Sequence, residues 1–246
     1  MNKITRRSWM PLLCSLLIIP LLTGCRTRSF LSTRQEITLG KQGAKEVEQE
    51  FRIDNDSPDA DRVRAIGESL LPHMDRRDVP YSFKVIKSSQ INAFSLPGGP
   101  VFVYRGLLDL IGNDDSALAC VIGHECGHIN GRHVARRISS DILNTALITI
   151  LIPNPTVQNS AGLLDQIMGL KYSRNDEYEA DWRGLSYAYY AHYDPWGMVR
   201  FFHTLERVEK RQGGSGPEWL QDHPLTPARI KRAEWIIEHH DYRYGH

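Results

Sequence analysis

Apolar residues at Ile37, Ala44, Val47 and Phe51 recur at helical spacing between 34 and 51, and a second such stretch runs from Pro58 to Leu71. Asn55-Asp56-Ser57-Pro58 marks the break between them. From Tyr81 to Lys87 the period changes to alternation rich in Val, Ile and Phe, and Pro100 to Tyr104 does the same after Pro97-Gly98-Gly99. These two runs predict strands of a small sheet. Beyond Arg105 the helical period returns and predicts helices near 115–137, 139–152, 160–172, 174–192, 195–212 and 227–240. Helix, small sheet, then helices is the order of an α+β domain, mostly helical with one small β-sheet, and not of alternating α/β units. Ile142 to Ile152 is nearly all apolar, but about eleven residues are too few to cross a bilayer, so a buried helix is expected.

Composition changes this picture little. The chain has 246 residues and a formal net charge of +1, which suits one globular domain and excludes the basic field that a nucleic-acid partner needs. The N-terminus departs from that average. Lys3, Arg6 and Arg7 precede an apolar run from Trp9 to Leu22, and small residues follow, the signature of a secretory signal peptide over 1–24. Leu22-Thr23-Gly24-Cys25 resembles a bacterial lipobox, in which Cys25 is acylated and tethers the protein to a membrane. Residues 25–33 are then a lipidated N-terminus and linker, and 34–246 the folded domain. Arg26, where an aspartate would by that resemblance favour the inner membrane, points to the periplasmic face of the outer membrane. Thr5-Arg6-Arg7 leaves the export route open. Cys120 and Cys126 lie six apart on one predicted helix and face different ways, so no disulfide is expected between them.

Candidate chemistry begins at His124-Glu125-Cys126-Gly127-His128, which fits HExxH. At about 100° and 1.5 Å per residue the two histidines share a helix face one turn apart, so both can reach one zinc ion. Glu125 lies beside that position, where a general base for an attacking water belongs. A third ligand is needed. His128-Ile129-Asn130-Gly131 begins the HExxHxxGxxH extension, but Val134 stands where that pattern requires histidine, and His133 falls opposite His124 if the helix continues. Glu177 is the better candidate: it shares a helix face with Asp181, which could accept the far N–H of a ligating imidazole. Asp176 and Glu179 read as solvated acids. His73, His133, His192, His203, His239, His240 and His246 read as structural or solvated, and Trp182, Trp196, Trp219 and Trp235 as core.

These motifs, together with Ile91-Asn92-Ala93-Phe94, Pro97-Gly98-Gly99, Arg105-Gly106-Leu107, Ser173-Arg174 to Asp181 and His223-Pro224 to Arg229, appear in an order that resembles the HtpX-like and CAAX-prenyl-protease group of gluzincin zinc metallopeptidases, in its soluble bacterial-envelope branch. The resemblance spans about Gln35 to Ile236. It implies one zinc ion on His124, His128 and Glu177, Glu125 as catalytic base, and hydrolysis of internal peptide bonds. It also implies that unfolded or misassembled envelope proteins are the substrates, in quality control alongside an outer-membrane assembly partner. Under it, Asn92, Ala93, Phe94, Gly98 and Gly99 acquire a role in holding substrate as an added strand. A plain hairpin turn is the other reading of the two glycines. His223 and Arg229 are then candidates for oxyanion stabilisation, and His223 alternatively for a fourth zinc ligand that keeps the enzyme latent. The rival from another class is a tethered binding module with a structural metal, against which Glu125 argues.

Overall fold

The computed structural model describes residues 31–142, 162–213 and 216–242. The signal peptide expected over 1–24, the acylation expected at Cys25, most of the linker expected to 33 and most of the helix expected over 139–152 lie outside the described residues. Helix α1 (Thr33–Glu50) starts in a capping box, with Ser32 accepting from Gln35 N–H while the Gln35 side chain accepts from Ser32 N–H at 2.8 Å. Helix α2 (Pro58–Leu70) starts on Ser57 with Pro58 in its first turn. Both match the expected spans to within a residue.

The sheet has four strands, β1 (Ile53–Asp54), β2 (Ser82–Ile86), β3 (Ala93–Ser95) and β4 (Pro100–Tyr104), in the order β1-β2-β4-β3. β4 runs parallel to β2, while β1 and β3 pair antiparallel at the two edges. The alternation read in the sequence divides the core. Val101 and Val103 face a cluster with α2, and Phe102 and Tyr104 face a second cluster with α1. Between β3 and β4 the chain turns through Gly98 (φ 74°) and Gly99 (φ 132°). A Cβ at Gly98 would meet the backbone of Ile37, and one at Gly99 the backbone of Pro80, so these glycines serve a packed hairpin turn.

The helices that follow are α3 (Arg105–Ile111), α4 (Asp115–Asn130), α5 (His133–Ile142), α6 (Leu163–Met168), α7 (Arg174–Tyr190), α8 (Trp196–Arg211), α9 (Glu218–Asp222) and α10 (Pro227–Glu238). α4 is buried on all sides, packed against the sheet, α2, α7 and α8. The single helix expected over 115–137 is two, because the chain breaks at Gly131 and Arg132 takes a positive φ of 55°. That strained residue is held by a distant partner: Arg132 Nε donates to the buried Glu36 of α1 at 2.6 Å, and Arg76 binds the same carboxylate at 2.6 Å. Trp182 and Trp219 are buried as expected. Trp196 and Trp235 are 39% and 49% exposed, because they sit on the outer faces of α8 and α10. Cys120 and Cys126 are buried free thiols. Among the described residues no helix is long and apolar enough to cross a membrane.

Candidate metal centre

The HExxH residues lie on α4, and α7 crosses it closely enough to bring Glu177 to the same point. The approach depends on missing side chains. A Cβ on Gly184 of α7 would lie 2.8 Å from His124 N, and one on Gly127 of α4 would lie 2.9 Å from Ala180 Cα. The two helices therefore meet backbone against backbone, with Gly123 in the same seam.

At the crossing, four buried side chains point donor atoms at one another. His124 Nε2 lies 3.0 Å from His128 Nε2 and 3.2 Å from His223 Nδ1, while Glu177 Oε1 lies 3.1 Å from His223 Nδ1 and 3.4 Å from His128 Nε2. All four donors fall within 4.8 Å of one another. Imidazole nitrogens aimed at each other repel unless a cation or proton lies between them. Tetrahedral bonds of about 2.0–2.1 Å give donor–donor edges of roughly 3.3 Å, so two histidines, a glutamate and a third histidine suit a zinc ion in both spacing and chemistry. The structure thus brings together His124, His128, Glu177 and His223.

The two glutamates have opposite environments. Burial raises the Glu125 carboxyl above its usual range, although His223 and His124 pull it down. Its Oε2 accepts from the Ser95 hydroxyl at 3.1 Å. Its Oε1 has no hydrogen-bond partner and lies 3.4 Å from His223 Nε2. Burial also raises Glu177, but His223 and Arg229 outweigh it and hold that carboxylate below its usual range. Burial of His223 is likewise outweighed by Glu177 and Glu125, which raise its pKa.

Asp181 stands behind His124, its Oδ1 2.9 Å from Nδ1. Arg229 binds both Asp181 oxygens at 2.7 Å, reaches Glu177 Oε2 at 2.8 Å and donates to the carbonyls of His223 and Pro224. Burial of Asp181 is outweighed by Arg229, and its pKa falls to about 2. The buried Arg229 guanidinium is therefore committed to Asp181, Glu177 and the two carbonyls behind the donor cluster.

Three residues read as bland are not. His133 is buried, with Nδ1 2.8 Å from His128 Nδ1. The helix break swings it round, where a continuous helix would have put it opposite His124. Asp176 and Glu179 are mostly buried and paired with Arg136 and Arg183. Asn130-Gly131, a turn dipeptide, was the available sign of that break. Sequence reasoning also missed Ser95 and Tyr172, whose ring stacks on His128 at 3.8 Å and His223 at 5.4 Å. No periodicity marks either residue. Trp219 closes the wall, stacked on His223 at 4.9 Å.

Of the strand residues, Ala93 and Phe94 lie in the edge strand β3, next to Glu125 through Ser95. Asn92 accepts from Ala93 N–H with its side-chain oxygen at 2.8 Å and donates to Asp222 at 3.2 Å. The start of β3 is thereby tied to α9, whose end presents His223.

An HExxH helix crossed by a second helix that adds a buried glutamate defines a metallopeptidase. The chain belongs to peptidase family M48, whose family model matches residues 57–237. It is 28% identical over 222 residues, 85% of its own length, to the "Beta-barrel assembly-enhancing protease" of Escherichia coli O157:H7, and covers 45% of that protein. It is 32% identical over 164 residues, 65% of its length, to the "Mitochondrial metalloendopeptidase OMA1" of Schizosaccharomyces pombe, covering 48% of it. With the namesake from Arabidopsis thaliana the figures are 34% over 156 residues, 62% of this chain and 31% of the other. The chain spans less than half the length of these relatives.

Proposed function

We propose that this chain is a zinc-dependent endopeptidase that cleaves unfolded or misassembled proteins of the bacterial envelope, anchored through an acylated Cys25 at the periplasmic face of the outer membrane. The observation that carries the reading is the donor set of His124, His128 and Glu177, with the unpartnered Oε1 of Glu125 beside it. The envelope assignment leans on the lipobox and on a relative named for β-barrel assembly.

Bound by those three residues, zinc supplies Lewis acidity that polarises the scissile carbonyl and acidifies the attacking water. Glu125 takes the proton from that water and hands it to the leaving amine. Its raised pKa suits a group that must both accept and release. Asp181 fixes the ring of His124, and Arg229 holds Asp181 and Glu177 ionised. Phe94 lies opposite Phe102 in the ladder, so the backbone groups of Ala93 and Ser95 point away from β4; an extended segment would add on that side, displacing the Asn92 side chain from the Ala93 N–H. Only an unfolded stretch can lie there, which selects for misassembled chains.

His223 would complete the donor set around a bound ion and leave no place there for water, so the resting enzyme would be latent until the His223 loop lifts. Its Nδ1 contacts with His124 and Glu177 favour this over an oxyanion role. The test is hydrolysis of an unfolded β-barrel protein by the purified full chain, with and without chelator. Glu125→Gln should bind stoichiometric zinc and cleave nothing, and His223→Ala should cleave faster than wild type. Near-normal hydrolysis by zinc-loaded Glu125→Gln would sink the mechanism. A fall in kcat in His223→Ala with unchanged zinc affinity would favour the oxyanion role.

A further inference from the structure

The two histidines of α4 are backed differently. Behind His124 stands a carboxylate, Asp181. Behind His128 stands an imidazole, with His133 Nδ1 2.8 Å from His128 Nδ1. His128 turns Nε2 toward the donor cluster, so Nδ1 carries its proton and the facing His133 nitrogen must be the acceptor. The proton of His133 is then on Nε2, which faces Glu179 at 3.6 Å and Asp176 at 3.8 Å. Those carboxylates are fixed in turn: Arg136 binds Asp176 at 2.8 Å, Arg183 binds Glu179 at 3.0 Å, and Arg183 also pairs with Asp75. The polarity is thus defined from His128 to His133, whose Nε2 has no hydrogen-bond partner and only faces the two carboxylates of α7 across the longer gap.

The backbone is shaped to admit this ring. A Cβ at Gly131 would collide with the imidazole of His133, and Arg132 is held at positive φ by Glu36 so that His133 doubles back beneath His128.

We propose that His133 is a positioning residue of the metal centre, locking the ring and tautomer of His128 through a neutral acceptor where His124 has an anionic one. The inference rests on the reading of His128 as a zinc ligand. A neutral partner orients the imidazole without adding charge to it, so the two histidines are unequal donors.

The test is zinc affinity of the purified full chain, measured by competition with a chromogenic chelator. His133→Leu, which fills the space without an acceptor, should weaken zinc by roughly 10- to 100-fold. His133→Asn, whose amide oxygen can stand near the Nδ1 position, should restore affinity to within a few-fold of wild type. Gly131→Ala, which displaces the ring and touches no ligand, should resemble His133→Leu. Wild-type affinity in His133→Leu, or equal losses in the Leu and Asn variants, would overturn the proposal. If the Leu variant does not fold, His133→Gln replaces it, since its amide reaches past the Nδ1 position; equal affinities of Gln and Asn variants then count against the proposal. His128→Ala separates the two readings, because it must lose zinc if His128 is a ligand at all, whatever His133 does.

Discussion

Two sides of the metal centre, a few ångströms apart, treat the same side chain in opposite ways. On the α4 side, Glu125 sits in an apolar helix with a hydroxyl and imidazoles for company, and burial raises its pKa. On the α7 side, Glu177 is as deeply buried, but His223 at 3.1 Å and Arg229 at 2.8 Å together hold it below the usual range. His223 faces both carboxylates, so the direct contact with the Arg229 guanidinium is what sets apart the one suited to trading protons from the one suited to holding a cation. Residue type alone assigns neither role; the neighbour does.

Removing each carboxylate should break the comparison most severely. Glu177→Ala should empty the site at moderate chelator and abolish hydrolysis, whereas Glu125→Gln loses only the chemistry. Zinc retained by Glu177→Ala would show that the α7 side holds no ligand.

Next in size is Arg229→Met, which leaves Asp181 and Glu177 buried without their cation. A loss of about 3–5 kcal/mol in stability is expected for breaking a buried pair on one side, read by urea unfolding of the metal-free protein. The pH dependence sharpens this. Asp181 falls from an ordinary 3.8 to about 2, so its stabilisation is present above pH 4 and is lost as pH falls from about 4 to 2. That is on the order of 2 kcal/mol. Arg229→Met should flatten this acid limb, and a variant as acid-sensitive as wild type would contradict the assignment.

The smallest effect is expected from Ser95→Ala. The Ser95 hydroxyl donates to Glu125 and favours its ionised form, so its removal should raise the Glu125 pKa further. The acid limb of the pH–rate profile should move to higher pH, with zinc affinity unchanged. A shift the other way would mean that Glu125 is not the base.

Much of this was legible in the chain because it is local. His124 and His128 share a face by helical arithmetic, as do Glu177 and Asp181, and β2 and β4 announce themselves by alternation. What stayed hidden depends on distant partners. The break after Asn130 is held by Glu36, far back in α1, and without it His133 cannot be placed. Asp176 and Glu179 look solvated until Arg136 and Arg183 fold against them. β1 and β3, of two and three residues, are too short to carry a period. Trp196 and Trp235 fit a helical stripe but ended on its outer side.

The seam of Gly123, Gly127 and Gly184 bears on how the protein gains and loses its cation. Where the α4 and α7 backbones touch at these glycines there is no side chain to repack, so the backbone itself spaces the donors, and little of a bound metal's free energy would be needed to order the chain. Loading would then be uncoupled from folding, unlike in a zinc finger, where the apo chain is unstructured. An emptied molecule would stay folded, and a returning ion would recharge it without a refolding step.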